Sequence, residues 1–230
     1  MRRAGAKRIG VSKLLAAGAG GVLVLLALAQ LILPRIAASR ISSRVGRYGH
    51  VRSVSVSAWP AVELLWGHVG SVRVSAGALS LAPSQVGALL WEARGAASMQ
   101  VSAQSVRIGS LRVTRARLQK HARALSAEGT VSEAAAQAAL PAGLRVQLLR
   151  SRHGQVEVQA TGALFGVRAS VHAVAQASAG KLVAHPVGFL IEGLELTLYS
   201  DPHVYVQGVG ASVASRSPRS YRLTMRAQLR

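Results

Sequence analysis

The side chains from which hydrolytic or metal chemistry could be built are eight acids and seven histidines. The acids are Glu63, Glu92, Glu128, Glu133, Glu157, Glu192, Glu195 and Asp201. Acid–base work by carboxylates needs two of them converging on one bond. Glu192 and Glu195 stand three apart in a stretch read as strand, where alternation turns them to opposite faces. Asp201 and His203 would share a face of a regular strand, and serines are plentiful. A Ser-His-Asp set can therefore be counted, but no GxSxG elbow anchors it. Asp201-Pro202 reads better as a turn ahead of a strand from Val204 to Val206. The other histidines, His50, His68, His121, His153, His172 and His185, show no HExxH spacing. Cysteine is absent, which removes thiol catalysis, disulfides and cysteine–zinc sites. Gly208 and Gly210 lack the third glycine of a dinucleotide loop and are read as a bend in a sheet. The expectation is a chain with no catalytic residues, no metal site and no cofactor.

The basic residues carry more information. There are 28 Lys and Arg against 8 acids, a formal net charge of +20 in 230 residues. Such a charge calls for an anionic partner, either nucleic acid or an anionic membrane. The basic residues are spread through the chain and form no nucleic-acid-binding motif. Hydrophobic residues make up 50% of the chain, which excludes a disordered chain. The length admits one large domain or two small ones.

Leu14 to Leu33 is a run of twenty residues without a charge, with Gln30 its one strongly polar side chain. At 1.5 Å per residue such a helix is about 30 Å long, the thickness of a bilayer core. Arg2, Arg3, Lys7, Arg8 and Lys13 precede it, as in the charged region of a secretory signal. Ala27-Leu28-Ala29 offers a cleavage site, yet the apolar run continues through Leu31, Ile32 and Leu33. The favoured reading is a retained anchor, with cleavage the alternative. Arg35, Arg40, Arg44, Arg47 and Arg52 follow the span and balance the charges before it. A cytoplasmic body would require export of the basic tail, whereas long C-terminal domains translocate largely regardless of charge. The expected plan is a basic cytoplasmic tail over 1–13, a transmembrane anchor or signal segment over 14–33, and a β-rich domain over 34–230 outside the cytoplasmic membrane.

Beyond Pro34 a helical pattern resumes from Arg35 to Arg47. Ala37, Ile41 and Val45 recur as one stripe, and Arg40, Arg44 and Arg47 form a second. Such a helix can lie on a membrane with its arginines at lipid phosphates. Alternatively its apolar stripe packs on the protein's own sheet.

These segments need a body to position them, and from His50 onward period-2 alternation dominates. Val54 and Val56 alternate with serines, and Val72, Val74, Ala76 and Ala78 share a face. Val156, Val158 and Ala160 oppose Gln155, Glu157 and Gln159, and the pattern repeats in Val167, Ala169, Val171 and Ala173. Tyr221, Leu223, Met225, Ala227 and Leu229 alternate with polar residues. About ten to twelve such runs, each with one polar face, predict half-buried antiparallel strands. Helices are predicted from Ser84 to Arg94, with Val86, Leu89, Leu90 and Ala93 on one side, and from Ser132 to Leu140 before Pro141. The class is α+β, with a curved antiparallel sheet and two or three helices after the N-terminal transmembrane helix. Small aliphatic inward residues can pack tightly or line an acyl-chain groove.

Trp59-Pro60-Ala61-Val62-Glu63-Leu64-Leu65-Trp66-Gly67, followed by Val72-Arg73-Val74, resembles the LmeA family of phospholipid-binding envelope proteins. The likeness continues in Val131-Ser132-Glu133, in Ala139-Leu140-Pro141, and in strands such as Gly154 to Val158 and Gly180 to Val183, over roughly residues 30–230. This chain has Ala58-Trp59-Pro60 where the family commonly has Gly-Phe-Pro. The resemblance implies an exported or membrane-anchored bacterial protein that binds phospholipid and supports envelope lipid or glycolipid metabolism, with no established catalytic residues. Trp59, Leu64, Leu65 and Trp66 form an apolar loop that either touches lipid or caps the sheet core. The expected lipid-binding residues are these four with Arg40, Arg44 and Arg47, and the expected partner is anionic phospholipid or a membrane surface, not nucleic acid. The alternative is a non-catalytic structural envelope protein that binds anionic wall polymers or protein partners.

Overall fold

The computed structural model describes residues 32–33, 35–58, 69–140, 143–164, 167–187 and 195–230. Helix α1 covers 35–46. Strand β1 (Gly49–Ser57) then pairs antiparallel with β2 (Val69–Leu81). Helix α2 (Pro83–Glu92) and a 3-10 turn (Ala93–Gly95) lead to β3 (Ala96–Ile108). Proline at its start and a hydrogen bond from the Ala82 N–H to Gln85 Oε1 at 2.8 Å open α2. Strands β4 (Leu111–His121) and β5 (Ala124–Ser132) follow as a meander, and Ser132 Oγ accepts from the Ala135 N–H at 3.1 Å to start α3 (Glu133–Ala138). The second half holds β6 (Arg145–Arg152), β7 (Gln155–Leu164), β8 (Val167–Ser178), β9 (Lys181–Val187), β10 (Leu196–Tyr199), β11 (Val204–Arg216) and β12 (Arg219–Leu229).

The strands form two sheets, and this corrects the expectation of one antiparallel sheet. A seven-stranded sheet has the order β1-β2-β3-β4-β5-β12-β11, and a five-stranded sheet has the order β10-β9-β8-β7-β6. The larger sheet is mixed, because β2 and β3 run parallel. A parallel pair needs a crossover of a dozen or so residues, and α2 with its 3-10 turn supplies it. Period-2 alternation marks a strand but says nothing of its direction, so only the crossover reveals the parallel pair. The predicted helix over Ser84–Arg94 is α2 with its 3-10 extension, and that over Ser132–Leu140 is the shorter α3, capped by Ser132.

The main core lies on one face of the larger sheet, where Val72, Val74, Met99, Leu125, Ala227 and Leu229 are buried with Leu90 of α2. Val72, Val74 and Ala76 face inward as expected, but Ala78 is exposed, and Leu79 and Leu81 take over. The cause is a bulge: Gly49 pairs with Leu79 and Val51 with Ala76, so two β2 residues oppose one of β1 and the inward phase shifts. Gly208 lies at a second register shift, between β11 and β12, in keeping with the predicted bend.

The five-stranded sheet meets the edge of the larger one end-on. The Val209 N–H donates to the Gly154 carbonyl at 3.2 Å, and the Val206 N–H donates to the Gly180 carbonyl at 2.8 Å. Gly154 and Gly180 belong to the two-residue turns joining β6 to β7 and β8 to β9, so they are turn residues, not the strand starts the sequence suggests. Both residues of each turn have positive φ: His153 and Gly154 at 51° and 79°, Ala179 and Gly180 at 49° and 80°. Type I′ hairpin turns require this backbone. A Cβ on Gly180 would run into the Tyr205 ring, so glycine also permits the close docking. Val206 and Val209 are three residues apart on β11, about 10 Å, which matches two strand spacings across the hairpin ends.

Among the described residues no helix is long and apolar enough to cross a membrane. Residues 14–31 of the expected span lie outside the described residues.

Candidate functional site

Helices α1 and α2 stand over the inward face of β2, β3 and β4, and an apolar crevice of about 320 Å³ lies between them and the sheet. Its walls come from three sources. Ile41, Val45 and Tyr48 enter from α1 and the turn after it. The α2 stripe of Val86, Leu89 and Leu90, with Ala93 beyond it, forms the second wall. The floor comes from strand residues such as Val72, Val74, Met99 and Leu118. Of the lining side chains only Arg44, Tyr48 and Glu92 bear a charge or a hydroxyl. The size sits at the lower end of ligand pockets, which run from about 300 to 1,000 Å³. A slot with this lining is suited to hydrocarbon, at about 0.8 kcal/mol for each methylene taken from water.

The polar groups sit at the rim. Arg44 Nη1 donates to Glu92 Oε2 at 3.0 Å, which links α1 to α2. Their side chains are 64% and 57% exposed, so the pair is worth no more than about 1 kcal/mol. An incoming phosphate would compete with Glu92 for Arg44 at little cost.

Behind α2, Asp201 holds the helix in place. A Cβ at Gly87 would collide with the Asp201 carboxylate, so α2 approaches this turn only through a glycine. Asp201 Oδ1 accepts from the His203 backbone N–H at 2.8 Å and lies 3.5 Å from His203 Nδ1. The His203 ring packs 4.5 Å from that of Trp91, whose other partner is the Arg94 guanidinium at 4.4 Å. This is a bracing cluster, and the Asp201–Pro202 turn precedes β11 as the sequence predicts. Burial, helped by the charge of Asp201, pushes the Tyr199 hydroxyl up to about 12.

Lys120 is a further residue of the site, absent from the sequence-based candidates. It pairs with Met99 on the inward face and is 3% exposed. Its ammonium donates to the Arg94 carbonyl at 3.3 Å and to that of Ala96, tying down the 3-10 turn at the end of the crevice. Burial lowers its pKa. The signal that could have found it is alternation: Ala116, Leu118 and Lys120 share the inward phase of β4, while Arg115 and Arg117 lie on the other face and are exposed.

Of the residues singled out from the sequence, Arg44 reaches the crevice rim, while Arg40 is exposed on α1 and Arg47 is exposed in the turn after it. The second reading of the α1 stripe holds for Ile41 and Val45, which turn toward the protein's own sheet. Trp59, Leu64, Leu65 and Trp66 lie outside the described residues. The crevice walls themselves were legible only as inward-facing aliphatic positions. Among the described residues no three His, Asp or Glu side chains are placed to hold a metal ion.

A family model described as LmeA-like phospholipid-binding matches residues 25–226, most of the chain. No curated protein and no solved structure matches it.

Proposed function

The chain belongs to the LmeA-like phospholipid-binding family, and from that premise we propose that the crevice beneath α1 receives a phospholipid acyl chain while Arg44 meets the phosphate at its rim. The protein is a membrane-anchored, extracytoplasmic, non-catalytic module that supports cell-envelope lipid or glycolipid maintenance. One observation carries this reading: a crevice lined almost wholly by hydrocarbon, with an exposed, easily parted Arg–Glu pair at its mouth. Sequence adds support. Arg44 lies eleven residues after Leu33, about 17 Å along a helix, so an anchor over 14–33 would hold the crevice near the membrane surface. The remaining arginines of α1 favour an anionic surface at about 1 kcal/mol each.

The test uses the full chain purified in mild detergent and exchanged into vesicles of mixed anionic and zwitterionic phospholipid. Native mass spectrometry should find one phospholipid retained per chain, enriched in the anionic species. A chain that retains none, and instead adheres to anionic wall polymer, would overturn the lipid reading in favour of a structural envelope role. A reporter fused after Arg230 should be active outside the cytoplasm, and cytoplasmic activity would overturn the orientation.

A further inference from the structure

Alternation gives the seven-stranded sheet a back face, turned away from the crevice. Arg73 alternates with buried Val72 and Val74, and Arg222 and Arg226 alternate with buried Tyr221 and Ala227. With Arg107, Arg112 and Arg117 they make six exposed arginines on this face, against Glu128, the one acid there among the described residues. Arg107 stands directly opposite Arg112 across β3 and β4. Like charges so placed are destabilising, and a nearby anion relieves the repulsion.

Arg73, Gln100, Ser102, Arg117 and Gln119 line a hollow of about 220 Å³ on this face. Val74, Val101 and Leu118 border both the hollow and the crevice, so the two lie back to back across one layer of sheet. A lipid tail in the crevice does not reach through that layer. Register sets the geometry of the hollow. Arg73 pairs with Gln100 and Gln100 with Gln119, while Ser102 pairs with Arg117 in the next row. The two arginines therefore stand diagonally on β2 and β4, with their Cα atoms about 12 Å apart by strand spacing and rise. Arg73 Nε donates to Gln100 Oε1 at 3.2 Å, and Arg117 Nη1 donates to Glu128 Oε1 at 3.3 Å. The Arg117–Glu128 pair is 67% and 43% exposed, so an incoming anion recruits Arg117 at little cost.

The lining selects a chemical class. Guanidinium forks meet phosphate oxygens in pairs. The carboxamides of Gln100 and Gln119 and the hydroxyl of Ser102 both donate and accept, as the hydroxyls of a sugar do. None of the described lining residues is aromatic, so they offer no platform on which a nucleobase would stack. We propose that this hollow binds a phosphorylated sugar, with its phosphate between Arg73 and Arg117 and its hydroxyls on Gln100, Ser102 and Gln119. The site is separate from the crevice and stands whether or not a lipid fills it.

Full-length protein in a phosphorus-free detergent at physiological salt is titrated with glucose 1-phosphate, and binding is followed by the phosphorus NMR resonance of the ligand. Glucose 1-phosphate should bind about fivefold or more tighter than inorganic phosphate, through the added hydrogen bonds. Arg73→Gln with Arg117→Gln should weaken both ligands by about tenfold or more. Gln100→Ala with Gln119→Ala should erase the preference for the sugar phosphate and leave inorganic phosphate unchanged. Arg152→Gln, at an exposed position of β6, should change nothing. Equal binding of the two ligands by the parent protein overturns the sugar assignment. Equal weakening by Arg152→Gln and by the Arg73 and Arg117 changes means diffuse attraction to a basic chain and overturns the site. Tighter binding of adenosine monophosphate assigns the hollow to nucleotides, and displacement of glucose 1-phosphate by phosphatidylglycerol vesicles assigns it to a lipid headgroup; either result overturns the proposal.

Discussion

Val101→Trp should abolish lipid retention without unfolding the protein. Val101 lines the crevice and is only half-buried, so its side chain already borders open space. An indole has about seven more heavy atoms than an isopropyl group and takes up the room of about six methylenes. At about 0.8 kcal/mol per methylene, hydrocarbon binding in the crevice weakens by about 5 kcal/mol. At 1.36 kcal/mol per tenfold, that is about a 5,000-fold loss of affinity. Displacement of a fluorescent fatty-acyl phospholipid from the full-length protein reads this directly. Circular dichroism and a thermal melt establish that the variant keeps its fold. Val213→Trp serves as the control, because Val213 is exposed on β11 and does not line the crevice. A folded Val101→Trp protein that binds the probe within threefold of the parent would refute hydrocarbon binding in the crevice.

Three further outcomes test other parts of the structure. Arg40→Gln with Arg47→Gln removes two exposed charges from α1 and the turn after it, and at about 1 kcal/mol each the affinity for anionic vesicles should fall about thirtyfold; an unchanged affinity at physiological salt would show that α1 does not face the membrane. Gly87→Ala drives a methyl group into the Asp201 carboxylate and should cost about 1–3 kcal/mol in a denaturant melt; unchanged stability would mean that Asp201 does not brace α2. Tyr199 titrates normally near 10.0 in the unfolded chain but at about 12 in the folded protein, so the folded state holds more protons in between. Its contribution is fully present below pH 10 and is lost as the pH rises to about 12. Tyr199→Phe should therefore flatten the fall in melting temperature across that window, and an unaltered slope would place the alkaline sensitivity elsewhere.

Much of the architecture is legible in the sequence, for a physical reason. Alternation places Val72 and Val74 inward and Gln155, Glu157 and Gln159 outward because a strand side chain has only two directions to choose from. Pro83 and Ser132 mark helix starts through the backbone geometry and hydrogen bonding that each residue imposes locally. The alternation misleads at Ala78, where a bulge inserts a residue and inverts the phase. It is silent on the direction of β3 and on the division into two sheets, since neither leaves a trace in the period.

The candidate site divides the same way. Arg44 is visible as a basic residue on a helix stripe, but its partner Glu92 lies 48 residues away and only the placement of α2 over the sheet unites them. Alternation with Ala116 and Leu118 turns Lys120 inward, but its carbonyl partners in the 3-10 turn lie 24 and 26 residues away and only the fold supplies them. The sequence by itself determined the family, the charge excess, the absence of a catalytic motif and the alternating strands, because these reside in residue types and short-range periods. Only the tertiary structure decided that the inward aliphatic residues leave an open crevice beside their buried core. Whether apolar surfaces meet depends on the distance at which helices stand from a sheet. That distance is set here by Gly87 against Asp201, by Lys120 under the turn, and by α1 lying across the opening.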